Sequence, residues 1–173
     1  WTLRRLGKDM PADKEVIELL NDCLTAELTA INQYFLHAEL CSHWGYKKLH
    51  GVIRLQAIDE MRHAEQLLER ILFLDGMPNM QRLFKVNIGE NVKEMFAADL
   101  ALEQDAIPRL AKGVTLCTER DDHGTRAMLE GILASEEEHL DWIDEQLRVL
   151  KAVGEANYLT LQIQTGSPAT PGA

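Results

Sequence analysis

Apolar residues recur along this chain at alternating steps of three and four. Between Asp13 and His43 the series is Ile17, Leu20, Leu24, Glu27, Ile31, Tyr34 and Ala38, and between Tyr46 and Leu74 it is Leu49, Ile53, Gln56, Glu60, His63, Leu67 and Leu74. Between Asn91 and Glu119 it is Val92, Phe96, Leu100, Glu103, Ile107, Leu110 and Val114, and between Asp121 and Val153 it is Leu129, Ile132, Glu136, His139, Ile143, Leu147 and Leu150. Such spacing marks one face of an α-helix, the face that a bundle turns inward. No alternating run rich in Val, Ile and Thr suggests a strand. The pattern predicts an all-α chain with four helices of about thirty residues each, roughly twice the usual length.

Punctuation sets how these helices connect. Pro11 precedes a start at Ala12 or Asp13, and Trp44-Gly45 makes a short turn that sets the first two helices antiparallel. Asp121-Asp122 can cap the fourth helix and Gly154 can end it. The middle connection, Asp75 to Glu90, is longer and holds Gly76, Pro78, Asn79 and Gly89. Extended, it reaches roughly 53 Å, enough to run the ~45 Å length of a thirty-residue helix. It therefore predicts a long crossover that leaves the second and third helices parallel. Pro108 lies inside the third helix and denies Gln104 its backbone partner, so a local kink is expected there. A short fifth helix is expected over Glu155 to Ile163. Residues 1–10 read as an N-terminal extension, 11–163 as the domain and 164–173 as a flexible tail.

Charge changes this picture. Lys and Arg total 18 against 28 Asp and Glu, a net charge of −10. A nucleic-acid partner is not expected, because phosphates need a basic face. No apolar run is long enough for a membrane helix. Three cysteines without paired spacing, Cys23, Cys41 and Cys117, fit reduced thiols in a cytoplasmic protein. More telling is where some of the acids fall. Every predicted helix carries a Glu on its apolar stripe, and two also carry a His. Burying an ionised carboxylate costs several kcal/mol unless it is compensated, and no Lys or Arg shares these stripes near the acids. Bound metal ions would supply the missing positive charge.

The spacing sharpens this. Glu60-x-x-His63 and Glu136-x-x-His139 each put two ligands on one helix face, and Glu27 and Glu103 add one acid from each remaining helix. Glu27 to Glu103 spans 76 residues, as does Glu60 to Glu136, so the set repeats as two helix pairs about an approximate twofold. A Glu from each of two helices and a Glu-x-x-His from each of the others is the pattern of carboxylate-bridged dimetal bundles. Oxygen and imidazole ligands suit iron, manganese or zinc.

The segments Ala26-Glu-Leu-Thr-Ala-Ile-Asn-Gln-Tyr-Phe35, Ile58-Asp-Glu-Met-Arg-His-Ala64, Leu102-Glu103 and Ser135-Glu-Glu-Glu-His139 resemble those of bacterioferritins, within the ferritin-like di-iron group. The likeness runs from about Pro11 to Leu161. It implies that Glu60 and Glu136 bridge two irons, that Glu27 and Glu103 each terminate one, and that His63 and His139 complete the set. Tyr34 would stand beside the site as a hydrogen-bond or electron donor. Met61, on the face away from the ligands, would be an axial ligand to a haem b shared between two subunits. The resemblance further implies a homo-oligomeric shell of twenty-four copies, oxidation of Fe(II) by O2 or H2O2, a ferric mineral core, haem-assisted iron release and a bacterioferritin-associated ferredoxin as electron donor. Relatives also bind iron on the inner surface through Asp59 and a neighbouring His, but Leu55 occupies that His position here. His37, His43, His50 and His123 lack partner spacing and read as exposed or packing residues. The cysteines read as buried small hydrophobes, and a di-iron peroxidase or a manganese site remains an alternative.

Overall fold

The computed structural model describes residues 13–163, which form five helices: α1 (Lys14–His43), α2 (Lys47–Phe73), α3 (Val92–Glu119), α4 (His123–Val153) and α5 (Glu155–Gln162). Residues 1–10 and 164–173, the proposed extension and tail, lie outside the described residues. Local chemistry fixes the ends. Asp13 accepts from the Glu15 amide, Asn91 from the Glu94 amide and Asp122 from the Thr125 amide, so three helices begin on an acceptor side chain. The α1–α2 and α3–α4 turns each pass through a left-handed residue, Gly45 (φ 91°) and Asp121 (φ 54°), 76 positions apart. α4 stops at Gly154, which takes φ 81°. α3 stays helical through Pro108.

α1 pairs with α2 and α3 with α4, and the crossover joins the pairs. It travels along α1 on a ladder of polar side chains. The amides of Asn79, Phe84, Asn87 and Gly89 donate in turn to Asn21 Oδ1 (2.7 Å), Thr29 Oγ1 (2.9 Å), Gln33 Oε1 (3.0 Å) and His37 Nε2 (3.3 Å). An extended segment has no partner strand here, so α1 satisfies its backbone instead. Because the crossover runs from the start of α1 towards its end, α3 starts where α2 starts. The two are parallel, as the length of the connection predicts.

The core forms two apolar clusters. One gathers Leu20, Leu24, Leu67, Ile71, Leu110 and Leu129; the other gathers Tyr34, Leu49, Ile53, Phe96, Ile143 and Tyr158. On every long helix the acids of the sequence pattern fall between them. Cys23, Cys41 and Cys117 are free and buried. Burial pushes the thiols of Cys23 and Cys41 up to about 12.

At the far end of the bundle Arg70 reaches from α2 to the α4 cap, donating to Thr125 Oγ1 and Asp122 Oδ1 (both 2.8 Å). Burial alone would raise the Asp122 carboxyl, but the Thr125 and Arg70 donors outweigh it and hold it below its ordinary value. Asp122→Ala is expected to cost about 1 kcal/mol, read from the denaturant midpoint. The contribution should be fully present above the unfolded-state pKa of about 4 and fade as pH falls through the lower folded-state value.

Candidate metal centre

Six side chains from four helices converge between the apolar clusters. α1 supplies Glu27, α2 Glu60 and His63, α3 Glu103, and α4 Glu136 and His139. All are buried, from 0% exposed at Glu103 to 7% at His139. They fall into two overlapping groups, Glu27–Glu60–His63–Glu136 and Glu60–Glu103–Glu136–His139, with the ligand atoms of each group within 4.8 Å of one another. Glu60 and Glu136 belong to both. The sequence pattern thus meets in space as two three-helix clusters sharing two carboxylates.

The contacts are crossed. His63 Nδ1 lies 2.8 Å from Glu136 Oε1, and His139 Nδ1 lies 2.9 Å from Glu60 Oε1. His63 Nδ1 also lies 3.4 Å from Glu60 and 3.5 Å from Glu27. Yet none of these approaches is aligned as a hydrogen bond. Both Nδ1 atoms, both Glu136 oxygens, Glu60 Oε1 and Glu103 Oε2 are buried without a hydrogen-bond partner. Polar atoms left so in a core are costly, and their convergence fits a pair of divalent cations better than it fits a protein network. The donor set of carboxylate oxygens and imidazole nitrogens suits iron, manganese or zinc.

Electrostatics explains how the metal-free bundle tolerates this. Burial, with the Glu60 and Glu136 charges nearby, raises Glu27 and Glu103 well above the usual carboxylate range. Burial would raise Glu60 and Glu136 too, but the adjacent imidazoles outweigh it and hold both low. Conversely, burial would lower His63 and His139, while the facing carboxylates lift them to about 12 and about 9. The two imidazoles and the Glu60 and Glu136 carboxylates thus favour their charged forms, while Glu27 and Glu103 are pushed towards their protonated forms. A divalent cation competes with protons for these imidazoles and carboxylates. Zn(II) loading should therefore release protons and weaken as pH falls through about 9, the value to which His139 is lifted, and below it, which a pH indicator in weak buffer can follow.

The Tyr34 hydroxyl donates to Glu103 Oε1, and its ring meets His139 edge-on at 6.5 Å. Burial, then the charges of Glu103, Asp99 and Glu60, raise its phenol well above the usual value. Met61 is 56% exposed on the outer face of α2. Asp59 pairs with Arg62 at 2.5 Å and Leu55 faces solvent, so no imidazole joins Asp59.

One reading needs correction. His37 is neither exposed nor merely packed. It is fully buried, and its Nδ1 lies 2.9 Å from Asp99 Oδ1, which also accepts from Gln33 Nε2 at 2.8 Å. The only sequence signal was an acid, Asp99, one turn before Glu103 on the same helix. His43 and His123 are exposed, and His50 is half-buried against the Ala38 carbonyl (3.0 Å).

Residues 17–153 match the ferritin-like domain family. A bacterioferritin of Streptomyces coelicolor is 50% identical over 163 residues, covering 94% of this chain and 98% of that protein. The bacterioferritin BfrA of Mycobacterium tuberculosis is 47% identical over 149 residues, covering 86% and 94%. A solved structure of Mycobacterium tuberculosis BfrA superposes with a TM-score of 0.88 at 45% identity, covering 90% of this chain and 98% of that one.

Proposed function

The chain belongs to the bacterioferritins of the ferritin-like domain family, and from that premise we propose that it stores iron in a multi-subunit shell and is itself a ferroxidase. Its substrates are Fe(II) and either O2 or H2O2. Two Fe(II) give up one electron each, and with two protons these take O2 to H2O2, or H2O2 to two waters. A paired site allows this two-electron step without releasing superoxide.

The observation that carries this reading is the sharing of Glu60 and Glu136 between the two clusters of buried ligands. The two carboxylates would hold both substrate ions close together, with Glu27 and His63 completing one position and Glu103 and His139 the other. Carboxylates favour the harder Fe(III) once it forms. The Tyr34 hydroxyl donates to Glu103 within the site's polar layer and would orient that carboxylate. The ferric product would leave for a mineral core inside a shell of twenty-four copies. Three free, buried cysteines fit the cytoplasm.

Haem b fits at Met61. Its thioether is exposed on α2, on a stripe with half-buried Ile58 and Leu68, and Phe35 is 49% exposed on neighbouring α1 under the Arg54 guanidinium. A twofold dimer would present the same thioether from each side. Bound there, haem would pass electrons, from a bacterioferritin-associated ferredoxin, towards the stored ferric iron for its release. Met61→Leu should abolish the Soret band of the protein reconstituted with haem; a band of unchanged position and intensity would reject Met61 as the ligand.

The test of the whole reading is Fe(II) added to the metal-free assembly under air, following oxygen uptake, ferric absorbance and iron retained per particle. Oxidation faster than in buffer, with iron co-migrating with the shell, is expected. Oxidation at the buffer rate overturns the ferroxidase assignment.

A further inference from the structure

The two halves of the metal centre are chemically unequal. A step of 76 residues carries Glu27 to Glu103, Glu60 to Glu136 and His63 to His139. The same step carries Cys23 to Asp99, Tyr34 to Leu110 and His37 to Gly113. The ligands repeat across the approximate twofold; what stands behind them does not.

Behind Glu103 the support is polar and locked. Tyr34 donates its hydroxyl to Oε1, which leaves Oε2 as the buried oxygen without a partner. Tyr34 is itself held on both sides. Gln33 and His37 reach Asp99 on α3 at 2.8 and 2.9 Å, one turn from Glu103. Gln33, Tyr34, His37 and Asp99 are all 1% exposed or less. The tyrosine is thus enclosed beside a hydrogen-bonded layer with no exposed surface of its own.

Behind Glu27 the counterpart of Tyr34 is apolar. Leu110 occupies the position of Tyr34 and is 1% exposed, with no hydroxyl to offer. A side chain at Gly113 would meet Leu19 and Leu129, and Cys23 replaces the carboxylate of Asp99. Glu27 has His63 Nδ1 at 3.5 Å and interacts electrostatically with Glu60, Glu136 and the Cys23 thiol.

An outer hydrogen bond that pre-orients a metal ligand typically changes affinity by about 10–100-fold. We propose that the two metal positions differ in affinity: the Glu103–His139 position binds a divalent cation more tightly and fills first, and Tyr34 is the positioning residue that makes it so. This rests on the two-metal reading above. The Glu27–His63 position is the labile one, where an ion is exchanged more readily.

Two measurements test it. Crystals of the assembled protein, given Zn(II) at less than one ion per subunit, should show anomalous scattering mainly at Glu103–His139. Equal occupancy, or preference for Glu27–His63, overturns the inference. In solution, Co(II) titration of the intact assembly followed by its visible bands should show two steps. Tyr34→Phe should weaken the tighter step by roughly 10–100-fold and leave the weaker one unmoved, with unchanged helical circular dichroism. A variant whose two steps match the wild type also overturns it. If the wild type binds no metal at all, the two-metal reading itself falls; if it binds two ions alike, only the inequality does.

Discussion

Glu60→Ala is expected to bring Fe(II) oxidation down to the rate of buffer alone, and Glu136→Ala to do the same. Each of these carboxylates belongs to both ligand clusters, so losing either one opens both metal positions together. The loss should exceed the roughly 10–100-fold that follows removal of a hydrogen-bond partner to a ligand. Glu27→Ala and Glu103→Ala remove a ligand from one position only, and each should leave one ion bound per subunit. Calorimetric titration with Zn(II) separates the two classes, and stopped-flow oxidation ranks them. A Glu60→Ala protein that still binds two Zn(II) per subunit would end the bridging assignment. The variants should fold, because the apolar clusters on either side of the site do not include these residues.

The candidate ligand set was legible because charged residues interrupt apolar stripes, and do so twice at one spacing. Periodicity locates the stripe, desolvation says that a carboxylate there must be compensated, and the repeat makes coincidence a poor explanation. Helix ends were legible for similarly local reasons, since Asp13, Asn91 and Asp122 cap through their own side chains. The crossover's length could be weighed against a helix, but not its path. That path depends on Asn21, Thr29, Gln33 and His37 accepting from backbone amides more than fifty positions away. Gln33 and His37 lie one residue off the apolar stripe of α1, beside Tyr34 and Ala38. Asp99 escaped for the opposite reason. Its counterpart 76 residues earlier is Cys23, so the twofold repeat that exposes the ligands conceals the pair formed with His37. Whether Tyr34 would meet Glu103 depended on how α1 and α3 are set against each other, which no local pattern encodes.

Asp99→Ala is expected to be among the most destabilising single changes outside the metal site. The Gly89 amide donates to His37 Nε2, which leaves the ring proton on Nδ1, donating to Asp99. Removing the carboxylate strands that proton and the Gln33 amide in a region with almost no solvent contact. Each buried donor left unsatisfied costs about 1–3 kcal/mol, so a loss of about 2–6 kcal/mol is expected from the two in the denaturant midpoint of the metal-free protein. Asp99→Asn keeps an acceptor oxygen in the same place and should lose less. The damage should also travel to the crossover, because Gln33 and His37 hold the amides of Asn87 and Gly89. Hydrogen exchange at those two amides should accelerate, while the Asn79 amide, held by Asn21 near the other end of α1, should keep its protection. Asp59→Ala, which removes an exposed partner of Arg62, is the control, with an expected change of no more than about 0.5 kcal/mol. If Asp99→Ala costs no more than this control, the buried pair does not hold the crossover to the bundle.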